Sequence, residues 1–169
     1  MQVEAINRCL VKFIIAAALF FAWCCIQGVV QEQEAVRQFL TAAGPLAGII
    51  KGAHSHVGCM GWAGLGLAGV IYYLVPIFSG KSIVWSKLIN WVFWIWVVGT
   101  AVGCAMMITI GIVGGNAFIA GITDMPRLMA IVMPYFILMG ICAYLEGIAG
   151  VMFVIQILVS LARRAKVTS

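Results

Sequence analysis

Both histidines of the chain, His54 and His56, stand two residues apart at the head of an apolar stretch, "AHSHVGCMGWAGLGLAGVIYYLVPIFSGK", from Ala53 to Lys81. A further group able to carry a proton, Glu146, lies alone inside another, "YLEGIAGVMFVIQIL". Imidazoles ligate metals and exchange protons near neutral pH. Ionisable side chains inside apolar spans are rare and usually functional. Glu146 reads either as a proton-accepting or quinone-contacting group, or as a buried, hydrogen-bonded acid that holds helices together.

The spacing of the histidines restricts what they do. At about 100° per residue, positions i and i+2 of a helix point about 200° apart. Two such histidines cannot both ligate one metal ion, so they have separate roles. His54 aligns with Gly58, Gly61, Leu65, Gly69 and Tyr72, a face of mostly small residues. His56 aligns with Met60, Ala63, Leu67, Val70 and Leu74, an aliphatic face. Small residues let a second helix approach closely. They equally leave room for a flat porphyrin beside a histidine. Haem ligation, another metal, and an interfacial role among headgroups all remain open on spacing alone. No His, Cys and carboxylate cluster has the spacing of a tetrahedral zinc site.

These residues must be positioned by membrane helices. The chain is 64% hydrophobic and 9% charged, against about 25% charged in soluble domains. Its mean hydropathy is +1.14. The apolar runs reach the roughly 20 residues that cross a bilayer core as helix, without the alternation of a membrane β-barrel. Four spans are expected, at about 10–30, 54–78, 83–113 and 128–161, forming one all-α membrane domain, a four-helix bundle. Between the first two, "QEQEAVRQFLTAAGPLAGIIKG" allows a short interfacial helix that Gly44-Pro45 breaks. The net charge of +5 sits mostly at span ends, with no basic patch interleaved with exposed aromatics, so nucleic acid is not an expected partner.

Arg8 and Lys12, then Lys81 and Lys87, then Arg163, Arg164 and Lys166 fall on one side if there are four crossings. The positive-inside rule then places both termini in the cytoplasm, as in a bacterial inner membrane. Tryptophans gather at "WSKLINWVFWIW". Trp85 and Trp91 suit an interfacial belt, and Trp94 and Trp96 run deeper, where they could face a partner subunit. The six cysteines form no C-x-x-C pair and read as small buried apolar side chains.

The stretch from His54 to Lys81 resembles the second transmembrane helix of the haem-copper oxidase subunit I superfamily, in its nitric oxide reductase-like branch. His54-x-His56, Gly61-Trp62, Ala68-Gly69, Tyr72-Tyr73 and Val75-Pro76 carry the likeness. The same stretch is similar to NnrS-like haem proteins, through His54-x-His56, Gly61, and Val75-Pro76 leading to Gly80-Lys81. "GGNAFIAGI" and the stretch around Glu146 resemble the superfamily more loosely. The resemblance implies His54 or His56 as an axial ligand of a low-spin, b-type haem. The glycine face, with Gly58 and Gly61, favours His54, and the glycine five residues on favours His56. Arg127, near the outer end of the last span, would pair with a haem propionate or else anchor headgroups. The superfamily's second axial ligand and copper-site histidines lie on later helices, and this sequence holds no later histidine. A sixth ligand would be missing, come from another chain, or be a methionine such as Met60, Met106, Met107, Met129, Met133, Met139 or Met152.

The leading expectation is a small electron-transfer subunit of a respiratory or oxidoreductase complex, holding haem b and not catalytic alone. It would meet other membrane subunits or a second copy of itself, and a quinone or a periplasmic electron carrier. The alternatives are a haem-free accessory or assembly subunit, and a proton or small-solute pathway around Glu146.

Overall fold

A computed structural model of the protein describes residues 2–163, with side chains from residue 9 onward. The side chain of Arg8, and all of Arg164 and Lys166, lie outside the described residues. The described residues form helices joined by short turns and loops, with no strand. Four helical stretches are long and apolar enough to cross a membrane: Cys9–Gln31, Pro45–Ser79, Leu88–Ile119 and Met125–Ala162.

In chain order the elements are α1 (Gln2–Gln31), α2 (Glu34–Ala42), a 3-10 turn (Pro45–Ala47), α3 (Gly48–His56), a π-helical segment (Val57–Gly64), α4 (Leu65–Ser79), α5 (Ser86–Ile119) and α6 (Met125–Ala162). The second span therefore begins at Pro45, well before the His54 start read from hydropathy. The physical reason lies at Gly44. Its φ of +70° breaks the chain direction after α2, and the Phe118 ring packs so closely that a Cβ at residue 44 would stand 2.7 Å from it. Pro45, with no N–H to leave unpaired, then opens the new helix. The histidines consequently sit about two and a half to three turns inside the span rather than at its mouth.

Helices α5 and α6 form the most extensive pair, while α1 packs along the π segment and α4, and α3 along α5. An aromatic cluster marks where the spans meet. Phe13 of α1 stands 5.8 Å from Tyr72 of α4 and 5.0 Å from Phe93 of α5, between ring centroids. Phe153 of α6 meets Tyr72 at 5.1 Å and Trp96 at 6.4 Å. Edge-on pairs of this kind add about 0.5–1.5 kcal/mol each beyond their buried area. Large apolar side chains such as Leu19, Ile26, Leu67, Phe78, Ile137 and Leu158 point outward, the arrangement that a lipid solvent allows.

One end of the bundle collects cations. Lys12 Nζ donates to Asn90 Oδ1 at 3.3 Å, Lys81 Nζ donates to the Leu161 carbonyl, and Lys87 and Arg163 border the same turn. At that end Gly80, in the left-handed region at φ +65°, closes α4 by donating to the Pro76 carbonyl. Trp85, Trp91 and Trp94 are exposed. Trp96 is not available to a partner: it is buried at 7% exposure, and its indole N–H donates to the Met60 carbonyl at 3.2 Å.

Candidate functional site: an acid–imidazole pair between spans

His56 is the last residue of α3, at the point where the helix widens into the π segment. π turns are rare and tend to mark functional positions. In this one the Leu65 N–H reaches back to the Met60 carbonyl, which also accepts from Trp96. Helix α5 thus braces the widened turn from outside.

His56 Nε2 lies 2.8 Å from Glu146 Oε2 on α6. Glu146 is 5% exposed, and its second oxygen, Oε1, has no hydrogen-bond partner. The acid can sit so deep because α5 supplies a glycine opposite it. A Cβ at Gly99 would stand 2.8 Å from Glu146 Cγ and 3.1 Å from the Cys142 carbonyl oxygen. A Gly99→Ala variant therefore forces α5 and α6 apart at the level of the pair. It is expected to cost about 2 kcal/mol in unfolding titrations of the detergent-solubilised protein. Gly103→Ala, whose Cβ would meet only Cys142 Cβ at 3.3 Å, should cost less than half as much. Equal costs would show that crowding at Glu146 is not what the glycine prevents.

His54 points elsewhere, as the i, i+2 argument requires. Its ring lies on α1, where a Cβ at Gly28 would stand 3.1 Å from Cε1, and its Nδ1 is 3.7 Å from Cys24 Sγ. The glycine face below it is a packing face. A Cβ at Gly58 would meet Cys24 Sγ at 3.3 Å, one at Gly61 would meet the Phe20 ring at 2.6 Å, and one at Gly69 would meet Phe13 Cβ at 2.7 Å. Helix α1 fills the space a porphyrin would need on that face. On the other face, His56 Nε2 is engaged by Glu146. The side chains of a single chain therefore do not form a haem pocket around either histidine. Among the described residues no group of three or more His, Cys, Asp and Glu side chains could hold a metal ion.

Arg127 is exposed at the start of α6, where its backbone N–H donates to the capping Asp124 Oδ2 at 3.2 Å. Glu146 lies roughly 28 Å further along that helix at about 1.5 Å per residue, so Arg127 and the pair are not brought together. Of the residues singled out from sequence, the fold joins His56 to Glu146 and sets His54, Gly58 and Gly61 against α1. The other ion pair among the described residues, Arg37–Glu34, is on exposed α2.

Sequence reading missed a second polar centre. Gln156 of α6 is fully buried. Its Oε1 accepts from the Tyr72 hydroxyl at 2.7 Å, and its Nε2 donates to the carbonyls of Val84 and Trp85 at 2.6 and 3.0 Å. Ser160 extends it, accepting from the Val84 N–H at 3.0 Å. A lone amide inside an apolar run was the available signal.

No family model matches the chain. Known proteins similar to parts of it include two oxidase subunits. The cytochrome c oxidase subunit 1 homolog of Agrobacterium tumefaciens (strain T37) is 31% identical over 104 residues, which is 61% of this chain and 18% of that protein. Cytochrome c oxidase subunit 1 of Rhodobacter capsulatus is 36% identical over 63 residues, 37% of this chain and 12% of that protein. The match thus spans less than a fifth of the length of either relative. Over that stretch the chain has a partial, haem-copper oxidase-like relation to subunit 1 of cytochrome c oxidases.

Proposed function

We propose that this chain is a haem-free subunit of a membrane oxidoreductase complex, and that its working group is the His56–Glu146 pair, which takes up and releases a proton within the membrane. The observation that carries the reading is the 2.8 Å contact between the chain's one acid inside a span and an imidazole, with the other carboxylate oxygen left unpartnered. A buried pair of this kind holds a proton in a hydrogen bond and can hand it to a group that arrives at the free oxygen. The partial similarity to oxidase subunits supports a place in a membrane complex with other subunits. The cationic end with Lys12, Lys81, Lys87 and Arg163 faces the cytoplasm in this reading, in a bacterial inner membrane.

The test uses the tagged chain purified from its native membranes in mild detergent. The isolated chain should be colourless before and after dithionite reduction. The co-purifying complex should lose most of its turnover with Glu146→Gln while the variant chain still assembles. A Soret band that disappears in His54→Ala or His56→Ala would overturn the haem-free part and restore b-type haem as the cofactor. Undiminished turnover in Glu146→Gln would overturn the role of the pair.

A further inference from the structure

The turn between α4 and α5 and the end of α6 border an open cleft of about 610 Å³, lined by Val84, Trp85, Lys87, Leu88, Trp91 and Arg163 among others. It lies at the level where the spans stop: the second ends at Ser79, the third starts at Leu88 and the fourth ends at Ala162. In a bilayer that is headgroup depth. The two cations of the cleft, Lys87 and Arg163, are both exposed, and neither is paired with an acid. Among the described residues the ion pairs are Arg37–Glu34 and His56–Glu146. Helices α4 and α5 contain no Asp or Glu. The one acid within α6, Glu146, lies roughly 26 Å before Arg163 along the helix at about 1.5 Å per residue. Trp85 and Trp91 stand beside the cations at 59% and 64% exposure. At this level an indole offers an apolar face together with an N–H donor. Unpaired positive charge thus shares one cleft with aromatic and aliphatic surface.

We infer that this cleft binds one anionic phospholipid, with Arg163 and Lys87 on its phosphate and the indoles of Trp85 and Trp91 against the glycerol and the first acyl carbons. The guanidinium takes two phosphate oxygens in its planar fork, and the ammonium adds a point charge. Charge decides the headgroup. A zwitterionic lipid offers the same phosphate but brings a choline or ethanolamine cation beside Lys87 and Arg163, whereas a glycerol headgroup brings none. The attraction of a basic residue at the membrane surface to anionic lipid is worth about fivefold in affinity, so two such residues give about thirtyfold. Free phosphate would match the cations equally well but gain nothing from the apolar wall. The bound lipid bridges the start of α5 and the end of α6, across the turn that Gln156 holds from inside through the carbonyls of Val84 and Trp85. The cleft lies away from the His56–Glu146 pair, so its occupancy stands or falls apart from the pair's role.

The test counts the lipids held by the purified full chain in mild detergent, by native mass spectrometry, during titration with phosphatidylglycerol or with phosphatidylcholine of identical acyl chains. Wild type should saturate at one tightly held phosphatidylglycerol, bound about thirtyfold tighter than phosphatidylcholine. Lys87→Gln and Arg163→Gln should each cost about fivefold, and the double variant should lose the preference. Lys12→Gln is the control. It removes the same charge from the same end of the bundle, where Lys12 reaches Asn90 outside the cleft, and should cost less than about twofold because solvent and salt screen it. A second measurement needs no variant: amide exchange across residues 82–88 of wild type should slow with phosphatidylglycerol and not with phosphatidylcholine. Equal retention of the two lipids, or exchange that ignores the headgroup, would overturn the inference. Uptake with no plateau at one lipid, or a loss in Lys12→Gln as large as in Lys87→Gln, would overturn it by showing a diffuse charged rim. Displacement of the lipid by millimolar inorganic phosphate would overturn it by assigning the cleft to a free anion.

Discussion

Replacing His56 by leucine is expected to lower the unfolding free energy by about 3 kcal/mol, more than replacing its partner, and the double replacement should recover most of that loss. Removing one member of a buried pair strands the other, at a cost of about 3–5 kcal/mol. The lower end applies because the His56 side chain is 34% exposed, whereas that of Glu146 is only 6% exposed. The same asymmetry sets the order of the single variants. His56→Leu leaves Glu146 with neither oxygen bonded, since Oε1 already lacks a partner. Glu146→Leu leaves an imidazole at a partly open face, and should cost about 1 kcal/mol. In His56→Leu with Glu146→Leu no polar group is stranded, and apolar side chains of similar volume replace the pair. Reversible unfolding in mixed micelles, followed by tryptophan fluorescence, measures all four corners of the cycle. Strictly additive single effects would mean that the 2.8 Å contact contributes no coupling.

Four helices long and apolar enough to span a membrane lie where the hydropathy runs are, but the third ends at Ile119 rather than 113, and the second differs most. There the turn signal at Gly44-Pro45 read as the break that ends a short interfacial helix, with the span starting only at His54. Gly44 does turn the chain, but Pro45 begins a helix, and the exposed Lys51 side chain rides on its surface. The glycine face of His54 was legible as a close-packing face. Its partner was not, because periodicity says which residues share a side and not which helix arrives there. The joining of His56 to Glu146 was illegible for the same reason: 90 residues separate them. The π segment also erases the ordinary helical register between His56 and Leu65. What the sequence did supply was the rarity of each polar group in an apolar span, and that signal applied equally to Gln156.

The buried amide leads to the largest stability effect expected in the molecule. Gln156→Leu preserves volume but removes three hydrogen bonds at once. Not all of the former partners are left bare. The Trp85 carbonyl still accepts from the Leu88 N–H at 2.7 Å, but the Tyr72 hydroxyl and the Val84 carbonyl have no substitute partner. Each buried polar group so stranded costs about 1–3 kcal/mol, giving a loss of about 4 kcal/mol. Trp85 adds a local consequence. It holds a backbone φ of +48°, the only non-glycine residue in the left-handed region among those described, and a bulky side chain adopts it only when its surroundings impose it. Gln156 imposes it by holding the carbonyls of Val84 and Trp85 together. Amide hydrogen exchange across residues 82–88 should therefore speed up in Gln156→Leu more than exchange in the middle of α5. Tyr72→Phe removes only the hydroxyl and should cost about 1–2 kcal/mol. Added to Gln156→Leu, it should cost almost nothing further, because the group it deletes is already stranded. If Tyr72→Phe instead costs the same in both backgrounds, the hydroxyl is not held by Gln156, and the turn between α4 and α5 is fixed by Ser160 and the glycine cap alone.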